Sequence, residues 1–136
     1  MSNFLVPHLQ ELLGETRKVP AVNQIEVSPF LQRRETRALC GKHGIVVEAY
    51  SPLTHGRRLD HPVVKDVARR AGRSAAQVLL RWGLQHGLVV LPKSTKPARI
   101  AENGALFDFA LDDRAMSDLD ALEEGLVTGW DPAEQV

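Results

Sequence analysis

LVVLPKSTKPARIAEN, residues 88–103, is the stretch on which the reading of the fold turns. Leu88, Val89, Val90 and Leu91 form a short continuous apolar run, the pattern of a strand buried on both faces. Pro92 stops the run, and Lys93, Ser94, Thr95 and Lys96 make a polar turn. Pro97 suits the first position of a helix over residues 98–103, with Arg99 in its opening turn. The free N–H groups and the dipole of a helix start favour anions. Arg as a planar fork, Lys as a point charge and Ser or Thr as neutral donors are the side chains that suit a phosphate. The same residues also fit a solvated turn with an exposed helical arginine after it. The chain has no GxGxxG and no Walker pattern, so the signal comes from position and not from a glycine-rich fingerprint.

Working outward, strands and helices alternate. Pro7 opens a helix with Leu9, Leu12 and Leu13 on one face, and Gly14 is expected to close it. Residues 21–25 form a short strand that Pro29 keeps from extending. Residues 33–43 read as a helix with Leu39 and Cys40 inward and Gly44 as its stop. Residues 45–50 form a second strand, ended by Ser51 and Pro52. A polar loop then leads to a helix from Pro62 to Ala71. Ser74 with Gln77 three residues later is a capping box for a helix over 75–86, whose buried stripe is Val78, Leu79 and Trp82. After residues 88–103, an extended connection at 106–109 leads to a last helix, capped by Asp112 or Asp113 and ending near Glu124. Such alternation implies βα units, a parallel sheet and right-handed crossovers. Three strands alone leave two unpaired edges and an open face, for which Val22, Val46, Val47, Val89 and Val90 are the expected apolar lining.

Composition narrows the function classes. The 136 residues suffice for one domain with a core, and 43% hydrophobic with 25% charged residues is an ordinary globular balance. Seventeen basic residues offset seventeen acidic ones, which argues against nonspecific nucleic-acid binding. Cys40 is the only cysteine, so no disulfide framework or zinc cluster is expected, and Cys40 reads as inert core. No apolar run is long enough to span a bilayer and MSNFLVPHLQ lacks a signal-peptide layout, so a cytoplasmic location is expected. His8, His43, His55, His61 and His86 show no convergent partners in sequence and none is assigned a catalytic role.

Five segments together resemble the C-terminal half of an aldo-keto reductase: SNF at 2–4, PAVNQIEVSPF at 20–30, HGIVVEAYSPL at 43–53, AAQVLLRW at 75–82 and LPKSTKPARIAEN at 91–103. The resemblance implies an α/β fold that is part of a TIM (β/α)8 barrel. It would run from the end of strand five through strand eight over residues 1–125, with an irregular tail at 126–136. A complete barrel takes about 250 residues. By the same resemblance, Ser2, Asn3 and Gln24 hold the carboxamide of a nicotinamide, and Tyr50 stacks on its ring. Ser51 and Leu53 line the pyrophosphate path. Lys93, Ser94 and Arg99 clamp a 2′-phosphate, and Glu102 and Asn103 meet the adenine. The implied cofactor is NADP(H) and the implied activity is reduction of aldehydes and ketones. Gln24 as a group satisfying backbone and Tyr50 as a core aromatic remain open alternatives.

The family uses a tyrosine proton donor with a lysine, an aspartate and a histidine, all from the first half of the barrel. This chain has one tyrosine, already assigned to the nicotinamide, so the resemblance implies no catalytic residue here and no metal site. Ser28 stands where many relatives carry His or Asn, and Trp130 departs from their proline-rich tail. Met1 occupies a position that is usually valine, which leads to the expectation of a truncated reading frame or gene remnant. Three functions are expected in turn: the NADP(H)-binding half of a carbonyl reductase, inactive alone; a noncatalytic half-barrel that associates through its edges; or a fragment without function.

Overall fold

Each apolar run is too short to cover itself, so a helix carries the chain back across it before the next strand begins. The computed structural model describes residues 1–134. It runs α1 (Val6–Glu15), β1 (Val22–Glu26), α2 (Arg34–Lys42), β2 (Val46–Tyr50), a 3-10 turn (Thr54–Gly56), α3 (Pro62–Ala71), α4 (Ala75–Gln85), β3 (Val89–Leu91), α5 (Pro97–Gly104) and α6 (Asp113–Asp120). The strands form one parallel sheet in the order β1-β2-β3. Before β1, Ser2 bridges to Gln24 in parallel, with Asn3 N–H donating to the Gln24 carbonyl at 2.8 Å.

Register decides which face is buried. Val22, Gln24 and Glu26 lie opposite Val46, Glu48 and Tyr50, and Glu48 and Tyr50 lie opposite Val89 and Leu91. Alternation puts these eight residues on one face. The other face carries Asn23, Ile25, Val47 and Ala49, buried against the helices together with Leu9, Cys40, Val64, Val67, Val78, Leu79 and Trp82. Burying a large apolar side chain of this kind contributes about 1.5–3 kcal/mol. Cys40 is fully buried within this layer, and burial pushes its thiol pKa up.

Local chemistry sets most boundaries. Ser74 Oγ accepts from Gln77 N–H at 3.2 Å, and Gln77 Oε1 accepts from Ser74 N–H at 3.1 Å, the reciprocal capping box of α4. Asp112 caps α6 by accepting from Ala115 N–H at 2.7 Å. Gly44 and Gly87 come after α2 and α4 at φ of 69° and 74°, a left-handed conformation that glycine adopts without steric cost.

Four expectations are corrected. Gly14 does not end α1; the helix continues to Glu15 and Thr16 N–H closes it onto the Leu12 carbonyl. The last helix stops at Asp120, not near Glu124, because Leu122 N–H turns back to the Leu119 carbonyl and Glu124 N–H goes to Phe30. β3 is not buried on both faces: Val89 is 43% and Leu91 37% exposed, since both lie on the face that no helix covers, as does Val46 of the central strand at 46%. The open face is not a uniform valine surface either. Val47 and Val90 point to the helix layer, and Gln24, Glu26, Glu48 and Tyr50 share the open face with Val22, Val46 and Val89.

The segment after α6 has little regular structure but is tied down. Leu126 N–H donates to the Phe30 carbonyl at 3.0 Å, Thr128 N–H to Glu26 Oε1 at 3.0 Å, and Arg33 pairs with Asp131 at 3.1 Å. A 3-10 turn spans Pro132–Glu134, and residues 135 and 136 of the expected tail lie outside the described residues.

Close packing of α4 on β3 gives a test of the helix layer. A Cβ on Gly83 would sit 2.6 Å from Val90 Cγ1, whereas one on Gly41 in α2 would meet nothing within 4 Å. Gly83→Ala is expected to destabilise the chain by about 1–3 kcal/mol through overpacking. Gly41→Ala is expected to stabilise it by about 0.5 kcal/mol through backbone entropy. Urea unfolding of both variants checks the pair, and a Gly83→Ala variant at least as stable as the parent contradicts the packing.

Candidate functional site

The C-terminal ends of β2 and β3 open onto a cavity of about 570 Å³. Its walls come from the turn after β2, the start of α4, the β3–α5 turn and one side of α5. Of the sequence-assigned residues it gathers Ser51, Leu53, Lys93, Ser94, Arg99, Glu102 and Asn103. The two groups come from distant parts of the chain. Parallel pairing of β2 with β3 brings the turns after them side by side.

One wall is cationic. Ser94 Oγ accepts from Lys96 N–H at 3.1 Å and tightens the turn into α5, with Pro97 at the helix start. Lys93, Lys96 and Arg99 are exposed, and none of them enters an ion pair among the described residues. Arg33, Arg58, Lys65, Arg69, Arg70 and Arg73 are paired with carboxylates, while among the described residues others such as Arg17, Lys42 and Arg114 are not; what sets Lys93, Lys96 and Arg99 apart is their place around one helix start. Three cations around a helix start, with no carboxylate paired to them, are the chemistry that suits an anion with several oxygens. Glu102 and Asn103 lie further along α5, where a carboxylate and an amide can meet the amino and ring-nitrogen groups of a base.

Ser2, Asn3, Gln24 and Tyr50 do not line this cavity. They form a second group at the end of the open face. Tyr50 O–H donates to Asn3 Oδ1 at 2.9 Å, and Gln24 Nε2–H donates to Glu48 Oε2 at 2.9 Å. Asn3 holds φ at 60°, fixed by its backbone bond to Gln24. Asn3 Nδ2 and Gln24 Oε1 make no hydrogen bond among the described residues, so one donor and one acceptor stay available there.

Several cavity residues were not assigned from sequence: Pro52, His55, Leu59, Ser74, Ala76 and Leu91. Ser74 was legible only as a helix cap. His55 gave no signal in the sequence because its partner, Ser51, meets it through an irregular turn: Ser51 Oγ and His55 Nε2 are 2.9 Å apart. The other histidines are mostly structural. His8 Nδ1 accepts from Leu5 N–H at the start of α1, His61 caps α3, and His86 meets Asp120 at 2.7 Å. The Asp120 carboxylate also accepts from Trp82 Nε1–H at 2.7 Å; these bonds hold its pKa below the usual carboxylate range, against the opposing effect of burial.

The Tyr50 phenol has its pKa raised by burial first and next by the Glu26 carboxylate; Asp131 adds to the rise and Arg33 opposes it. Neither a lysine nor a histidine is among the charges acting on it. Tyr50 is the only tyrosine, so an absorbance titration of phenolate reports it alone. Its midpoint is expected above the ordinary value of about 10. Glu26→Gln should bring that midpoint down, and a wild-type midpoint at or below the ordinary value contradicts the arrangement.

The model of the aldo/keto reductase family matches residues 1–63 and 57–124. Glyoxal reductase of Bacillus subtilis is 46% identical over 134 residues, covering 98% of this chain and 49% of its own length. Methylglyoxal reductase DkgA of Escherichia coli is 42% identical over 132 residues, covering 96% of this chain and 48% of its own. Among solved structures, a Gox0644 mutant in complex with NADPH superimposes with a TM-score of 0.91 at 41% identity, covering 97% of this chain and 49% of that one. The chain therefore spans about half the length of the curated relatives it matches. With the sheet, the cavity and the sequence match in agreement, the chain belongs to the aldo/keto reductase family.

Proposed function

We propose that this chain is the cofactor-binding half of a (β/α)8 carbonyl reductase and takes NADP(H), reducing aldehydes or ketones when the rest of the barrel is present. The observation that carries this reading is the group of cations outside any ion pair at the start of α5: Lys93 and Arg99 in a cavity shared with Ser51 and Leu53, and Lys96 in the same turn. The donor set fits the group. Lys93, Ser94 and Arg99 suit a phosphomonoester at the 2′ position, and Glu102 and Asn103 suit an adenine beside it. Ser51 and Leu53 line the same cavity just after Tyr50 ends β2, and would meet the pyrophosphate. Asn3 Nδ2 and Gln24 Oε1, with Ser2 beside them, offer the donor and acceptor that a carboxamide requires, and the Tyr50 ring stands next to them. Similar structures in complex with NADPH support this assignment.

When bound, the dinucleotide supplies the hydride. This chain's own part is binding and orientation: the cations fix the phosphate end, and the amides with Tyr50 fix the nicotinamide end. Proton delivery is not among its roles in this reading. The only tyrosine has its proton committed to Asn3 and its pKa raised, the opposite of an activated acid. The residues assigned here therefore bind and do not catalyse.

Titration of NADPH and NADH against wild type and Arg99→Ala tests this. A charge-assisted hydrogen bond contributes about 1.5–3 kcal/mol, so the loss of Arg99 should weaken NADPH roughly ten- to a hundredfold and NADH far less. The same preparations should turn over no aldehyde above a blank. Equal affinity for the two cofactors, or an equal loss for both on substitution, means that residues 93–99 form an ordinary solvated turn.

A second reading, association through the open face, is favoured by one observation: Val46, Val89 and Leu91 are 46%, 43% and 37% exposed on β2 and the edge strand β3. An unpaired parallel edge next to exposed apolar side chains is a template for another chain. Sedimentation is expected to show self-association that rises with concentration, and a stable monomer at all concentrations contradicts it.

A further inference from the structure

We infer that His55 is a pH-gated contact for the pyrophosphate-bearing part of the ligand, acting through Ser51 in the cavity at the end of β2. This role rests on the proposed dinucleotide site and adds to it a residue and a regulation that the site does not otherwise require.

Ser51 and His55 both line the cavity, and Ser51 Oγ lies 2.9 Å from His55 Nε2. Ser51, Thr54 and His55 hold φ at 47°, 51° and 53°, three left-handed non-glycine residues within five positions. Each such conformation is strained and persists only where the surroundings impose it. Thr54 is fully buried and its hydroxyl donates to the Leu53 carbonyl at 2.8 Å, which anchors the turn from below. The strained turn thus brings a serine and an imidazole together against a cavity whose other wall carries Lys93 and Arg99.

The serine can face an anion in two ways. A protonated imidazole only donates, so Ser51 Oγ accepts from Nε2–H and the serine proton is free to point at a phosphate oxygen. A neutral ring can accept at Nε2 and take up that proton, which leaves a serine lone pair towards the anion. Protonation of His55 therefore adds a positive charge beside the ligand and leaves the Ser51 hydroxyl free to donate to it, whichever tautomer the neutral ring holds. The charged groups lining the cavity around the pair are Lys93, Arg99 and Glu102. Arg57 and Arg58 come next in the chain, and Arg58 is ion-paired with Glu124 at 2.8 Å.

NADH is the probe that isolates this effect, because its pyrophosphate keeps a fixed charge where a phosphomonoester loses a proton near pH 6. Full-chain affinity for NADH should fall roughly five- to tenfold between about pH 5.5 and about pH 8. His55→Asn should remove that slope and bind at both pH values as the wild type does at high pH. Asparagine tolerates the left-handed backbone, so the variant keeps the turn. His55→Arg should hold the low-pH affinity at both values. Arg99→Ala should lower NADPH affinity while leaving the NADH slope intact, which separates this contact from the 2′-phosphate clamp. A flat wild-type profile, or the same slope in His55→Asn, overturns the inference and leaves the NADP(H) reading standing. No saturable binding of either cofactor at either pH overturns both.

Discussion

Parallel pairing through β2 is the constraint on which the other features depend. A strand that runs parallel to its predecessor needs a long return path, and here a helix supplies it each time. The helices all return over one face, so Ile25, Val47 and Ala49 are buried while Gln24, Glu48 and Tyr50 are left on the other. The same pairing places the C-terminal ends of β2 and β3 together. The turns leaving those two ends must then share one cavity, with Ser51 to Gly56 on one side and Lys93 to Arg99 on the other.

The polarity of the open face has the same origin. A face meant for solvent alone would not need a glutamine bonded to a glutamate or a tyrosine bonded to an asparagine. Glu26, nearly fully buried, ends β1 on this side and accepts both the Thr128 N–H and its hydroxyl, so the segment after α6 is strapped over the strand end. Tyr50 lies opposite Glu26 in register and is affected by its charge. The strap and the nicotinamide end of the proposed site are therefore linked through a single carboxylate.

What could be read from the sequence was local. The α4 capping box, the α5 start at Pro97 and the Gly44 and Gly87 stops depend on residues within one turn, and each stands where the pattern predicts. The exposure of Val89 and Leu91 was not legible, because an apolar run does not report whether both faces of its sheet will be covered. The continuation of α1 through Gly14 escaped for a similar reason: a glycine near a helix end is a stop only if the chain turns left-handed there, and Gly14 does not. Seven assigned residues line one cavity because parallel pairing brings together the turns after β2 and β3, and α5 follows the second of them. His55 was missed because its contact with Ser51 exists only in a turn with three left-handed residues, which no spacing rule announces.

Lys93 and Arg99 as a phosphomonoester clamp are tested most directly on the phosphate itself. Phosphorus NMR of NADP(H) bound to the full chain tracks the 2′-phosphate resonance as pH is lowered. Two adjacent cations favour the dianion, so its second proton should be taken up at lower pH than in the free cofactor, whose value lies near about 6. A bound 2′-phosphate that titrates at the same pH as the free cofactor would contradict the account.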